Sequence, residues 1–383
     1  MRPPAPEHFT SRLRSPAVAA RVGTWLGIAF GLCFLTGVYS HVAQLPDPWI
    51  ALPTRPSWFY RVTQGLHVTA GVASVPLLLV KLWSVYPHLF TRPPRARRDL
   101  LLHGLERASI GVLVAAAVFQ LVTGIANSAQ WYPWAFSFRA THYAIGWVAI
   151  GALVIHIAVK LPTIQQALTS DIDDAALDRP AMSASGGLSR RGLVRTTWVA
   201  AGLAVLATAG STVPALRRVS VLGVRSGDGP QGVPVNKSAR AAGVLESAVS
   251  PDFRLVVAHG DLSVSLTSAD LAEMPQTTAD LPIACVEGWS ASATWTGVRV
   301  RALLDLVGAP VGVPVTVTSL QEHGPYRATI LPGNFAADDL TLLALRLDGE
   351  PLDIDHGFPC RLIAPNRPGV LQTKWVTRLE VSA

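Results

Sequence analysis

The chain has 383 residues, of which half are hydrophobic and only 15% charged, with a mean hydropathy of +0.35. Soluble domains carry about 25% charged residues, so part of this chain belongs in a membrane, and its length calls for two or more domains. The net charge of +7 does not indicate a nucleic-acid partner, because the arginines flank apolar stretches instead of lining one face.

Five stretches reach the roughly 20 apolar residues that span a bilayer. They lie near 22–43, 64–86, 106–127, 141–161 and 196–214. Basic residues alternate across the intervening segments. Arg2, Arg12, Arg14 and Arg21 precede the first span, and Arg92, Arg95, Arg97, Arg98 and Arg107 stand between the second and third. Arg179, Arg190, Arg191 and Arg195 precede the fifth. The positive-inside rule then places the N-terminus in the cytoplasm and the chain beyond the fifth span outside. The expected organisation is a cytoplasmic N-terminus (1–21), a four-helix membrane domain (22–165), a cytoplasmic loop (166–195), a fifth anchor helix (196–214), a linker (215–235) and an exported domain (236–383).

Ser189-Arg190-Arg191-Gly192-Leu193-Val194 looks like a twin-arginine export signal, with Leu193 where an aromatic is usual. Two ordinary positive-inside arginines are the alternative.

Ionisable residues inside spans are costly and point to function. His67, His142 and His156 lie in the second and fourth stretches. His142 and His156 are 14 residues apart, which on a helix puts them on one face about 21 Å apart. This spacing suits two stacked haems, for which imidazole is a standard axial ligand. His67 and His142 are each followed four residues on by a glycine, Gly71 and Gly146, and read as the pair for an outer haem. For an inner haem, His103 is preferred over His88 as partner of His156. Lys81 stands at the matching depth on the second stretch, and His41 is a spare for the outer site. Histidines that merely bridge helices are the competing reading. The region 20–165 resembles the b-type cytochrome membrane subunits that exchange electrons with quinones.

From residue 236 short Val/Leu/Ile-rich runs alternate with Gly, Pro and Asp turns. Strands are predicted at 255–258, 315–318, 361–364 and 375–379, with a helical turn at 303–307, in a mixed α+β domain. Cys33, Cys285 and Cys360 form no CxxC or CxxxH pair, which excludes a zinc site and c-type haem attachment and leaves a Cys285–Cys360 disulfide open.

Ile283-Ala284-Cys285-Val286-Glu287-Gly288-Trp289-Ser290, then Trp295-Thr296-Gly297-Val298, then His356-Gly357-Phe358-Pro359-Cys360-Arg361-Leu362-Ile363-Ala364-Pro365-Asn366 and Lys374-Trp375-Val376 resemble, in order and spacing, the molybdopterin domain of the sulfite oxidase family. The similarity is greatest to its exported bacterial branch, which includes reductases of methionine sulfoxide. The resemblance implies a molybdenum–molybdopterin cofactor with Cys285 as the thiolate ligand, a soft donor suited to a redox metal. It implies that His356 and Arg361 contact the pterin and its phosphate, that Lys374 lies near the cofactor's polar end, and that Asn236-Lys237-Ser238 opens the domain as a pterin-binding segment. Cys360 reads as core filler. The basic anion pocket of the sulfite-oxidising members is not placed, with Arg327 and His323 as candidates, so sulfite is not the expected substrate.

The fold expected is therefore an all-α transmembrane four-helix bundle with a fifth anchor helix, then an α+β molybdopterin domain. The expected function is electron transfer between a quinone pool, one or two b-haems and a molybdenum site acting on a small or protein-bound S- or N-oxide. Alternatives are a haem-free anchor fed by a soluble carrier, and a non-enzymatic receptor that kept the fold.

Overall fold

The computed structural model describes residues 5–184, 186–223 and 229–381. The stretch 224–228, inside the expected linker, and Arg2 lie outside them. Five helices are long and apolar enough to cross a membrane: α1 (Pro16–Ala43), α2 (Phe59–Val85), α3 (Arg97–Ser128), α4 (Phe138–Thr169) and α5 (Arg190–Thr208). Large apolar side chains such as Leu105, Val122, Val154 and Val159 remain exposed on α3 and α4, a surface suited to lipid and a liability in water.

The chain divides into two compact units, one of Met1–Gly37, Leu66–Ala209 and Val219–Leu222, the other of Val38–Gly65, Gly210–Arg218 and Gly223–Ala383. In the first unit polar side chains join the helices. Lys81 Nζ donates to Ala19 O at 2.9 Å, Arg21 reaches Ala167 O and Ser170 O at 2.8 and 2.7 Å, and Lys160 pairs with Glu106. Both arginines of the expected export signal are engaged. Arg190 is buried and pairs with Asp178 while donating to Arg12 O, Ile172 O and Asp174 O. Exposed Arg191 pairs with Asp171 and Asp173.

Among the described residues the second unit has ten strands: β1 (Leu255–His259), β2 (Leu262–Leu266), β3 (Gln276–Ala284), β4 (Ser290–Arg299), β5 (Val315–Ser319), β6 (Ala328–Leu331), β7 (Leu342–Leu347), β8 (Glu350–Pro351), β9 (Arg361–Ile363) and β10 (Val376–Val381). The four expected strands fall on β1, β5, β9 and β10, and the expected helical turn overlaps a short helix, Val300–Asp305.

One sheet runs β2-β1-β10-β5-β6, and the other runs β3-β4-β7-β8 with β9 also on β7. Among the strands of the described residues only β1 and β10 pair in parallel. Alternation along each strand divides the apolar side chains between two cores. Leu255, Val257, Val317, Leu362 and Leu379 fill one core, while Leu281, Ile283, Trp295, Leu342 and Ile363 fill the other. Cys285 belongs to the second core and Cys360 to the first. All three cysteines are free thiols, so the disulfide left open by the sequence is not formed.

Candidate functional site

Cys285 begins the connection between β3 and β4. Ala284 and Ser290 are the last cross-strand pair. Cys285 N donates to Trp289 O at 2.9 Å and Gly288 N to Cys285 O at 3.0 Å. Gly288 takes φ of 85°, which a side chain would strain. The five-residue turn therefore closes on itself and aims the thiol inward, where it is fully buried. Burial, then the neighbouring Glu287, push the Cys285 thiol up, and the charge of Lys374 acts against them.

Around this thiol the chain collects buried cations, Arg361 and Lys374, with Glu287 and Asp355 as the nearby carboxylates. Arg361 is in β9, and strand alternation puts it on the face of Ile363, with the Cys285 core. Its guanidinium lies 5.4 Å from the centroid of the Trp295 ring. Arg361 Nη1 donates to His356 O at 3.3 Å, and its Nε has no partner. Lys374 Nζ donates to Lys237 O and Asp355 O at 2.8 and 2.7 Å. Gly357 lets the segments that carry Arg361 and Lys374 approach: it has φ of 110°, and a Cβ there would lie 3.1 Å from Lys374 Cα and 3.2 Å from Arg361 Cβ.

Desolvation lowers Arg361 to about 10 and drives Lys374 well below its ordinary value. Arg361, Arg367 and Lys374 are all buried, yet among the described residues none has a carboxylate within ion-pair distance. Buried charges are normally paired, so these three stand out as candidates to meet an anion. A phosphorylated, metal-bearing cofactor has that chemistry.

His356 has the complementary polarity. Its Nε2 donates to Pro230 O at 2.7 Å, so Nδ1 is an unprotonated acceptor, and it is buried without a partner. Burial, then the charge of Arg361, lower His356 to about 4, which keeps the ring neutral and able to accept from a ligand N–H. The Asn236-Lys237-Ser238 segment meets the same cluster. Lys237 supplies the carbonyl for Lys374, its Nζ reaches Gln321 Oε1 at 3.2 Å, and Ser238 caps the short helix Ala239–Ala242. Arg327 and His323 are exposed.

Arg367 was not singled out by the sequence. It is 4% exposed, donates to Ile330 O at 2.9 Å, has an unpartnered Nη1, and is lowered to about 9 by burial. Its position after Asn366 is the only hint in the sequence, and burial of an arginine is not legible there.

In the first unit His67 and His142 come together, with ring centroids 6.4 Å apart. His67 Nδ1 lies 2.9 Å from Cys33 O and 3.1 Å from Thr36 Oγ1. A carbonyl only accepts, so the proton is on Nδ1 and Nε2 is left as a lone pair. His142 Nδ1 lies 3.0 Å from Thr123 Oγ1, whose own hydroxyl donates to Phe119 O, which gives the same tautomer. The glycines that touch these rings are Gly37 and Gly124, on neighbouring helices, whereas Gly71 and Gly146 adjoin Cys33 and Gln120. His156 and His103 are not brought together in this way. His103 Nε2 accepts from Arg107 Nε at 2.8 Å, and the charged groups acting on His156 are Lys81, Lys160 and Glu106.

Residues 242–383 match the family described as oxidoreductase molybdopterin binding domain. Sulfite oxidase of Arabidopsis thaliana is 35% identical over 116 residues, covering 25% of this chain and 29% of the relative. A putative protein-methionine-sulfoxide reductase subunit, YedZ1 of Azospira oryzae, is 32% identical over 116 residues, covering 30% of this chain and 43% of the relative. The sulfane dehydrogenase SoxCD structure from Paracoccus pantotrophus aligns with 35% of this chain and 40% of its own at 25% identity, with a TM-score of 0.32. The chain thus spans less than half the length of either curated relative. Residues 242–383 therefore carry a molybdopterin-binding oxidoreductase domain similar to that of the sulfite oxidases.

Proposed function

We propose that this chain is a membrane-bound molybdopterin-dependent oxidoreductase. It transfers an oxygen atom between water and an S- or N-oxide-type substrate and exchanges the two electrons with a membrane quinone pool through b-type haem. The observation that carries the reading is the burial of Arg361 and Lys374 beside Cys285 with no carboxylate within ion-pair distance among the described residues.

Cys285 is the residue to hold the metal, with Arg361 and Lys374 to neutralise the cofactor's phosphate and His356 Nδ1 to accept from the pterin. Arg supplies a planar fork for phosphate oxygens. Lys374 brings Lys237, and with it the Asn236–Ser238 segment, to the polar end. When bound, the molybdenum cofactor supplies two-electron oxygen-atom transfer. The protein's part is to keep Cys285 dry, exclude water from the thiolate bond, and balance charge with cations already in place.

His67 and His142 fit one haem. Imidazole is a standard ligand of haem iron, and these two rings, which would hold it, stand with centroids 6.4 Å apart. Hydrogen bonding of both Nδ1 atoms fixes the ligating tautomer. Haem b supplies single-electron relay. His156 with His103 is the candidate inner pair by sequence spacing, and Arg107 has to release His103 before it can ligate. The positive-inside pattern supports a cytoplasmic N-terminus and an extracytoplasmic C-terminal domain.

The test is metal and optical analysis of the detergent-purified full chain. One molybdenum with one or two irons per chain, and a b-type reduced-minus-oxidised spectrum, is the expected result. Molybdenum without iron would favour a haem-free anchor fed by a soluble carrier. No molybdenum, from cells shown to make the cofactor, would refute the proposal.

A further inference from the structure

The compact unit that contains both sheets also contains 38–65 and 210–218, the ends of α1 and α2 with their connection and the stretch after α5. Within that unit these segments close on the Cys285 turn. Tyr60, 2% exposed, packs with Ala43 against Ala284, the residue before Cys285. Its backbone N–H donates to Asn366 Oδ1 at 2.7 Å, and Asn366 Nδ2 donates to Pro53 O at 2.7 Å.

More telling are the carbonyls of the turn itself. Val286 O accepts from Gln64 Nε2 at 3.5 Å, Gly288 O accepts from the Thr212 hydroxyl, and Ser290 O accepts from Arg217 Nη2 at 2.8 Å. Every second carbonyl from 286 to 290 is thus held by a side chain from outside both sheets. Gln64 is itself fixed, because its Oε1 accepts from Ser40 Oγ at 3.2 Å, and Ser40 Oγ lies 3.0 Å from the Tyr60 hydroxyl. Ser40, Tyr60, Gln64 and Thr212 are all buried. A buried hydrogen-bonded network rigidifies what it touches. Here it holds the backbone that follows the residue that ligates the metal in the function proposed above, while Tyr60 packs on Ala284 just before it.

We propose that these helix-end segments form a built-in wall of the molybdenum site, and that Gln64, Thr212 and Arg217 are positioning residues that fix the Cys285 turn. The proposal rests on that functional reading for the metal, but the wall itself can be measured without it. Ligand geometry at a metal is set by groups that hold the ligand as much as by the ligand. A β-hairpin connection alone leaves these three carbonyls to water. With the wall, the turn keeps one conformation before and after the cofactor binds.

The test uses the full chain in detergent, both cofactor-free and loaded, with Thr212→Val, Gln64→Leu and the conservative Thr212→Ser. Amide hydrogen exchange is followed by mass spectrometry. In the cofactor-free protein Thr212→Val and Gln64→Leu are expected to speed exchange of 284–290 by about tenfold or more. Thr212→Ser is expected to stay near the parent, and peptides from β5 and β6 to be unchanged. In the loaded protein molybdenum per chain is expected to hold while the sulfur-to-molybdenum absorption band shifts in Thr212→Val and returns in Thr212→Ser. Parent-like exchange of 284–290 in both Thr212→Val and Gln64→Leu would overturn the proposal, as would an unshifted band in loaded Thr212→Val. Should Thr212→Val not fold, Gln64→Leu, on a different helix, reads the same turn. Absence of molybdenum from the parent chain refutes the functional reading alone, since exchange in the cofactor-free form still reports on the wall.

Discussion

Replacing Arg361 by methionine should have opposite effects on the empty and loaded proteins. Burial holds Arg361 at about 10 against an ordinary 12.5, which corresponds to about 3 kcal/mol against keeping the charge inside the cofactor-free fold. The compensation visible in the structure is one 3.3 Å hydrogen bond to His356 O and the Trp295 ring at 5.4 Å. Methionine fills similar volume without charge, and exchange of a poorly compensated buried charge for an apolar side chain is commonly neutral or stabilising by about 1–4 kcal/mol. For a domain of this size each kcal/mol moves the midpoint by about 2–4 °C. Cofactor-free Arg361→Met, made in cells unable to synthesise the cofactor, should therefore melt about 2–16 °C above the parent, with the C-terminal domain followed by tryptophan fluorescence. From cofactor-competent cells the same variant should retain far less molybdenum and lose the stabilisation that the cofactor gives the parent. If the empty variant melts well below the parent, Arg361 is a structural residue that does not await an anion, and the reasoning for the site fails with it.

His356 gives a pH dependence of definite sign. The folded ring titrates near 4, below its ordinary 6.5, so the unfolded chain takes up the proton first as pH falls. About 3 kcal/mol of stability is present above pH ~6.5 and is lost between there and ~4; in the cofactor-free protein His356→Gln should flatten that part of the profile. Gly357→Ala must place a Cβ 3.1 Å from Lys374 Cα at φ of 110°, and should cost about 1–3 kcal/mol in chemical denaturation and reduce molybdenum retention. His67→Ala and His142→Ala should each abolish the same b-type absorbance while leaving molybdenum per chain unchanged; persistence of the full spectrum in either would remove that residue as a ligand.

The two parts of this chain are legible in the sequence for different reasons. Apolar runs such as those around Val118 and Val154 announce helices, because lipid demands both length and composition. The strands at Leu255, Val315 and Arg361 announce themselves by alternation and turn residues. The Cys285 turn and the His356–Arg361 pair are readable through resemblance, not through physics visible in one dimension. What the sequence hides is tertiary. Arg367 looks like any surface arginine until its burial is seen. Gly37 and Gly124 touch the histidine rings from other helices, so the rule of a glycine four residues along the same helix points to Gly71 and Gly146 instead. Thr212 lies 76 residues from the carbonyl it holds, and no local pattern carries that distance.

The polar chemistry of the C-terminal domain separates into two populations, and the separation is itself an argument. Where arginines meet carboxylates, as in Arg299 with Asp339, Arg301 with Asp305 or Arg378 with Glu380, at least one partner stands substantially in solvent, and such pairs contribute little. Where cations are buried, at Arg361, Arg367 and Lys374, no carboxylate stands within ion-pair distance among the described residues. A fold selected only for stability has no reason to desolvate three cations and leave Arg361 Nε, Arg367 Nη1 and His356 Nδ1 unpartnered. A carboxylate placed among them would relieve the burial, and would occupy the position that the proposed function gives to a phosphate. The unmet charge is thus the feature that an anionic cofactor accounts for, and it makes binding of that cofactor and completion of the domain's interior the same event.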